Sequence, residues 1–491
     1  MTTNISFLAI APEVVLTAGI LAVLLAEVTF SPPRPRLGRW LGAISGLTLA
    51  GALAGAVWQG LRLGAEGGLY YGEMVALDGL AVVGRLVLVL VAALGLGTAW
   101  PLVEALGRRG AEFVALLLVS LTGMTLMAAS ANLLMLFLAL EVASISLYVM
   151  AGIARATVEG DEAAMKYFLL GSFASAVFLY GAALTYAATG TLSLEGVRGF
   201  LAGNVVARPG VLLAGVALLM VGLAFKVSAA PFHMWSPDVY QGAPAGAAGF
   251  MASGAKVAGF AALIRVLLSG FEGRQADWAP AVAVLAALSV VVGTVLAIAQ
   301  SDIRRMLAYS SVAHAGFIMT GLVAGPDGLT GVWFYLATYG VQLVAAFAVV
   351  MVMAGPEAGR SALADYSGLS ERSPLLAGVL SLMMVAMAGI PATTGFVGKV
   401  GVFTAALGAG YLWLVVLGLV GAVAGLFFYL RVIVLMYMQA PVPAEAPGAA
   451  RAGPLPGRLV SAVLVVSTVI TLLFGILPAP LLELIRASIS L

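Results

Sequence analysis

GLAFKVSAAPFHMW (residues 222–235) and AGIPATTGFVGKVGVF (residues 388–403) each set a proline inside an apolar run with a lysine close by. Lys226 precedes Pro231 by five residues, and Lys399 follows Pro391 by eight. Proline inside a helix removes a hydrogen bond and breaks or kinks it. Membrane proteins tolerate such breaks where the freed backbone lines a wet cavity, and in transporters they recur at matching positions of two repeats. A bilayer-crossing helix needs about 20 apolar residues. Fourteen such stretches begin near Phe7, Arg39, Gly79, Glu112, Ala131, Ala163, Gly210, Ala245, Trp278, Met306, Thr330, Pro374, Tyr411 and Leu459. The broken ones are the seventh and the twelfth, five apart. A five-span repeat has an odd number of crossings, so its second copy must be inverted.

The expected fold is therefore an all-α polytopic membrane protein of about 14 transmembrane helices. Helices 4–8 and 9–13 form two inverted five-helix repeats, with helices 7 and 12 broken. One integral membrane domain covers 1–491. Within it lie three N-terminal helices (1–111), the first repeat (112–270), the second (278–438), a cytoplasmic linker rich in Pro, Ala and Gly (439–458) and a C-terminal helix (459–491). The fourth and fifth spans leave room only for a tight turn around Ser130–Asn132. The stretch Phe7–Thr29 reads as the first span: it is too long for a leader core, has no basic flank and contains Glu13.

Composition agrees. Of 491 residues 62% are hydrophobic and 9% charged, against roughly 25% charged in a soluble domain. There is no basic run for nucleic acid. The absence of cysteine excludes disulfides, thiolate chemistry and cysteine-ligated iron–sulfur clusters. No metalloprotease motif, phosphate loop, dinucleotide fingerprint or hydrolase elbow occurs. Arginine sets the orientation, because cytoplasmic loops collect it. Alternate connections hold Arg34, Arg36, Arg39, Arg108, Arg109, Arg155, Arg304, Arg305, Arg360, Arg372, Arg451 and Arg458; the opposite set holds only Arg62, Arg198, Arg208, Arg274 and Arg486. Both termini are expected on the non-cytoplasmic side.

Twenty arginines and only four lysines make up the 24 basic side chains, and the lysines (Lys166, Lys226, Lys256, Lys399) lie within or at the edge of apolar segments. Arginine stays charged at any working pH, whereas a desolvated lysine can lose its proton. That division points to proton handling across a membrane. Lys256 sits in the middle of GFMASGAKVAGFAALI (249–264), where snorkelling is hard and a charge costs roughly 2.5–3.5 kcal/mol to insert. Glu141 is central in ANLLMLFLALEVASISLYVM (131–150); a proton site with a lysine partner explains it, and a structural hydrogen bond between helices is the plainer alternative. Lys226 could snorkel to the surface, but the adjacent Pro231 favours a cavity, and Lys399 resembles it by symmetry. Under the repeat, Glu141 corresponds to His314 and Lys256 to Arg431. Lys166, after Glu159, Asp161 and Glu162, reads equally as an interfacial anchor. Arg85 and Arg265 read as anchors or structural pairs, and Glu13 as structural. His233 and His314 lie in different segments without a second pair, which argues against haem; a water chain near the cytoplasmic ends suits them better.

FKVSAAPFHMWSPDVYQGAP (225–244), SDIRRMLAYSSVAHAGF (301–317), AGIPATTGFVGKVGVF and DEAAMKYFLLGSFASA (161–176) resemble the antiporter-like membrane subunits of respiratory complex I, the NADH–quinone oxidoreductase. The resemblance covers nearly the whole chain. It implies a 14-helix fold with inverted repeats, in a bacterial inner membrane. It also implies a proton relay: Glu141 as the helix-five carboxylate, Lys226 as its lysine partner, Lys256 as the central-axis lysine and Lys399 as the terminal residue, where some sister subunits carry glutamate. NADH, FMN, iron–sulfur clusters and quinone are then expected in partner subunits, with no cofactor or metal on this chain. The implied partners are a neighbouring antiporter-like subunit, small membrane subunits and the lipid bilayer. A subunit of a cation/proton antiporter or membrane-bound hydrogenase shares these features. From a different class, a non-pumping scaffold could use the same charges to hold helices together.

Overall fold

The computed structural model describes residues 4–30, 34–154, 158–355, 361–440 and 456–489. Arg155, Arg360, Arg451 and most of the 439–458 linker lie outside them. A turn at Leu8–Ile10 leads into α1 (Ala11–Phe30) and α2 (Arg34–Glu66). An antiparallel hairpin of β1 (Gly68–Tyr70) and β2 (Val75–Leu77), pairing Leu69 with Ala76, precedes α3 (Gly79–Leu106), α4 (Arg109–Ala129) and α5 (Leu133–Ala151). Then follow α6 (Val158–Thr189), α7 (Leu194–Gly203), α8 (Pro209–Lys226), α9 (Trp235–Gly242) and α10 (Ala245–Ile264), which continues into a π-helical turn at Arg265–Gly270. The remainder is α11 (Gln275–Ile298), α12 (Ile303–Leu322), α13 (Leu329–Ala354), α14 (Leu369–Arg372), α15 (Pro374–Ala388), α16 (Thr394–Gly408), α17 (Leu412–Met438), α18 (Arg458–Ile476) and α19 (Ala479–Ile489).

Among the described residues, 12 helices are long and apolar enough to cross a membrane. Two of the fourteen expected crossings fall outside that set for identifiable reasons. The tenth is α12, 20 residues long but diluted by Arg304, Arg305, Ser310, Ser311 and His314. The twelfth is divided between α15 and α16, 15 residues each. The hairpin, α7 and the π-helical turn go beyond the expected elements, and the single C-terminal helix expected over 459–491 is divided at Leu477–Pro478 into α18 and α19. The added elements are short, and the hairpin is the one pair of β-strands among the described residues. Ser130 and Asn132 do form a tight α4–α5 turn, pinned by bridges to Val75 and Ser193.

Both breaks lie near the prolines. After α8, Ser228 adopts φ 58°, and the Ala230–Pro231 peptide is cis. After α15, Gly389 adopts φ 87° and Ala392 φ 67°. Non-glycine residues seldom enter this left-handed region and stay there only where the surroundings enforce it. Packing recurs between the two halves: α4 lies on α5 as α11 lies on α12, and α6 packs on α8 as α13 packs on α15 and α16.

All residues of α10 are buried, which makes it the central pillar. Its Gly and Ala positions let α3, α4, α8 and α13 approach closely. At Gly259 a Cβ would lie 2.8 Å from Val227 Cγ1 and 3.3 Å from Lys226 Cγ, so only glycine admits the end of α8 there. The perimeter helices expose large apolar side chains instead, among them Leu47, Leu61 and Val423. Such a surface suits hydrocarbon rather than water.

Candidate functional site

Three lysines are buried: Lys226 is 3% exposed, Lys256 2% and Lys399 6%. Each is held by a different kind of acceptor. Lys226, the last residue of α8, donates to Ser144 Oγ on α5 at 2.7 Å, and its ammonium lies 5.9 Å from the Tyr167 ring centroid. Tyr167 in turn stacks on Trp235 of α9, centroids 4.4 Å apart. Lys256 donates to the Ser311 carbonyl on α12 and lies 6.0 Å from the Tyr339 ring. Lys399 donates to the carbonyls of Met387 at 2.9 Å and Ala388 at 2.7 Å, and sits 4.8 Å from the Phe317 ring. Those carbonyls end α15, so the ammonium caps the negative end of a helix dipole.

Lys399 is therefore not the twin of Lys226. Lys226 stands on the half-helix before its break, Lys399 on the half-helix after it. Nor do Glu141 and Lys226 form an ion pair within 4.0 Å. Glu141 is half-buried, and its Oε1 has no hydrogen-bond partner. Lys226 turns to Ser144, one helical turn further along the same face of α5, because a hydroxyl there satisfies the ammonium.

His314 is fully buried at mid-length of α12, not near a cytoplasmic end. Its Nδ1 is 2.8 Å from the Tyr335 hydroxyl and its Nε2 3.0 Å from the Tyr429 hydroxyl. Its ring stacks on Tyr339, centroids 4.3 Å apart. Tyr429 is also hydrogen-bonded to Ser310. The imidazole thus packs against Tyr339, the ring near Lys256, and edge-on against Phe317, the ring near Lys399, so it stands between the surroundings of the two lysines. Arg431 takes no part: it donates to the Ile298 carbonyl at 3.2 Å and the Gln300 carbonyl at 2.9 Å and so caps α11. The residue of α17 that enters the polar line is Tyr429.

Lys166 is 42% exposed and pairs with Glu162 and Asp238, each at 2.7 Å. Asp238 also holds Arg305 at 2.7 Å, and Arg305 donates to Gln241 at 3.0 Å. One carboxylate on α9 thus ties α6 to α12. His233 lies half-buried in the first break with its ring edge-on to Tyr309, centroids 6.2 Å apart. Arg85 pairs with Glu13 at 2.9 Å and also donates to Gln59 and the Ala9 carbonyl, locking α1, α2 and α3. Arg265 grips Asp78 through both carboxylate oxygens and donates to the Ala128 carbonyl at 2.8 Å. Among the described residues no group of three or more His, Asp or Glu side chains is placed to hold a metal ion.

Residues 130–425 match the family model described as NADH:quinone oxidoreductase/Mrp antiporter, transmembrane. The chain belongs to that family. Among family members, NADH-quinone oxidoreductase subunit N of Mycobacterium bovis is 46% identical over 387 residues, 78% of this chain and 72% of its own. Subunit N of Trichlorobacter lovleyi is 38% identical over 483 residues, 98% of this chain and 96% of its own. A chain of respiratory complex I from Thermus thermophilus superposes with a TM-score of 0.79 at 36% identity, covering 96% of this chain and 98% of that one. A chain of the Mrp complex from Dietzia sp. reaches a TM-score of 0.83 at 23% identity, covering 99% and 96%; that likeness is one of fold alone. This antiporter-family member is a multi-pass membrane protein.

Most of the spans, both breaks and the placing of Lys226, Lys256 and Lys399 inside apolar segments were legible from sequence. Ser144, Tyr335, Tyr339, Tyr429 and the Asp238–Arg305 contact were missed. The one available signal was a cluster of hydroxyl residues in otherwise apolar helices, as in Ser310–Ser311.

Proposed function

We infer that this chain is the antiporter-like, proton-translocating subunit of N type in a bacterial NADH–quinone oxidoreductase. The observation that carries the inference is a buried line of exchangeable groups, Lys226, Lys256, His314 and Lys399, within a chain akin over nearly its full length to subunits so named. It sits in the inner membrane with both termini outside the cytoplasm. Its neighbours are another antiporter-like subunit and small membrane subunits. NADH, FMN, iron–sulfur clusters and quinone belong to the partners. The antiporter reading has the shared family description and a fold likeness at 23% identity; relatives named subunit N at 46% and 38% identity make it the weaker one.

Mechanistically, Lys226 holds its proton against Ser144, with the Glu141 carboxylate one turn earlier on α5 as its counter-charge. A unit charge appearing about 10 Å away, at an effective dielectric constant of about 20, changes the energy of an ammonium by roughly 1.7 kcal/mol, more than tenfold in occupancy. If that charge is positive, it weakens the hold of Lys226 on its proton by this factor and biases transfer through water towards Lys256. From Lys256 it passes by way of His314 and the Tyr335 and Tyr429 hydroxyls to Lys399 and leaves the membrane there. Lys226 is then reloaded from the cytoplasmic side, where Lys166, His233 and the Asp238 contacts gather.

Lys256→Ala, introduced into the native complex with its partners identified by mass spectrometry, tests this. Coupled quinone reduction and pumping should fall together while assembly is intact. An assembled variant that pumps at the normal rate would leave the scaffold reading, and partners lacking any NADH-oxidising subunit would leave the antiporter reading.

A further inference from the structure

An apolar cleft of about 410 Å³ opens on the flank of the bundle between α8 and α11. Leu213, Val216 and Met220 line one wall and Ala281 and Val284 the other, and the cleft ends at Phe232 in the first helix break. Along the start of α11 the lining runs from Arg274, the residue just before the helix, to Leu285. At about 1.5 Å of rise per residue this is roughly 16 Å, close to half of a ~30 Å hydrocarbon core. The recess therefore has the depth of one leaflet.

Its charged lining is confined to the mouth. Arg274 Nη1 lies 3.4 Å from Asp277 Oδ2, with the side chains 39% and 37% exposed. The pair is long and half in solvent, so both groups can take other partners. A zwitterionic headgroup supplies both complements at once, phosphate for the guanidinium and ammonium for the carboxylate. An anionic headgroup lacking the ammonium would set its charge beside Asp277.

We propose that this cleft binds one phosphatidylethanolamine molecule, its phosphate on Arg274, its ammonium on Asp277 and a tail reaching Phe232 and Pro231. The tail then braces the break that follows Lys226, which ties helix geometry at the lysine to the lipid. The site does not depend on the reading of the chain as a proton-translocating subunit, so the two can fail separately.

The test uses the assembled, delipidated complex reloaded in detergent with photoreactive phosphatidylethanolamine or phosphatidylglycerol carrying a diazirine near the tail end. Wild type should be labelled on α11 or at Phe232 by the ethanolamine lipid at least fivefold more than by the glycerol lipid. Ala281→Phe, which fills the cleft, should cut labelling at least fivefold. The surface variant Arg274→Gln with Asp277→Asn should label but lose the headgroup preference, and it decides the matter if the filled variant does not assemble. Equal labelling by the two lipids in wild type, undiminished labelling of an assembled Ala281→Phe variant, or a cleft so covered by a neighbouring subunit that neither probe reacts would each overturn the proposal.

Discussion

Ser144→Ala removes the acceptor that Lys226 uses at 2.7 Å. Lys226 is only 3% exposed, so bulk water does not readily replace the lost bond. A hydrogen bond to a charged group contributes about 1.5–3 kcal/mol, equivalent to a shift of roughly 10- to 150-fold in how readily the charged lysine occupies this position. The substitution deletes one oxygen and no carbon, so it opens little space and should not disturb assembly. Ser146→Ala is the matched control: the same helix, a buried hydroxyl, but a bond only to the Val142 carbonyl at 3.1 Å. NADH-driven pumping in proteoliposomes should fall about tenfold or more in Ser144→Ala and stay near wild type in Ser146→Ala. If the two variants pump alike, Ser144 does not hold the working proton and the relay does not begin at this bond.

Lys226→Arg keeps the charge but cannot release a proton at workable pH; the complex should assemble and pump poorly, and near-normal pumping would reduce Lys226 to a fixed counter-charge. Glu141→Gln should impair pumping more than Glu141→Asp, since only the latter keeps a carboxylate; indistinguishable rates would make the charge irrelevant. Gly389 holds φ 87°, and a Cβ there would lie 2.8 Å from Lys399 Cδ. Gly389→Ala should therefore cost about 1–2 kcal/mol in backbone strain and displace Lys399, lowering both thermal stability and pumping. Gly378→Ala, with nothing within 4 Å of its new methyl, should be neutral in both assays, and equal behaviour of the two would show that the second break tolerates a side chain.

By itself the sequence determined the bilayer spans, the two breaks and the identity of the buried charges. These follow from local quantities: the length of an apolar run, a proline within it, and the high cost of an ionisable group in hydrocarbon. What each charge touches was decided only by packing. Ser144 lies 82 positions from Lys226, Tyr429 115 from His314, and the carbonyl of Ile298 133 from Arg431. Hydroxyl residues are common in membrane helices, so no local pattern distinguishes Ser144 from Ser146 or singles out Tyr429. The expected repeat set Lys256 against Arg431 and Lys226 against Lys399, but such a pattern speaks to backbone crossings and not to side-chain direction: Arg431 caps α11, and Lys399, on the far side of its break, caps α15. Hydrocarbon surroundings require every ammonium and guanidinium to find an acceptor, and the choice of acceptor belongs to whichever neighbouring helix the tertiary structure brings within about 3 Å.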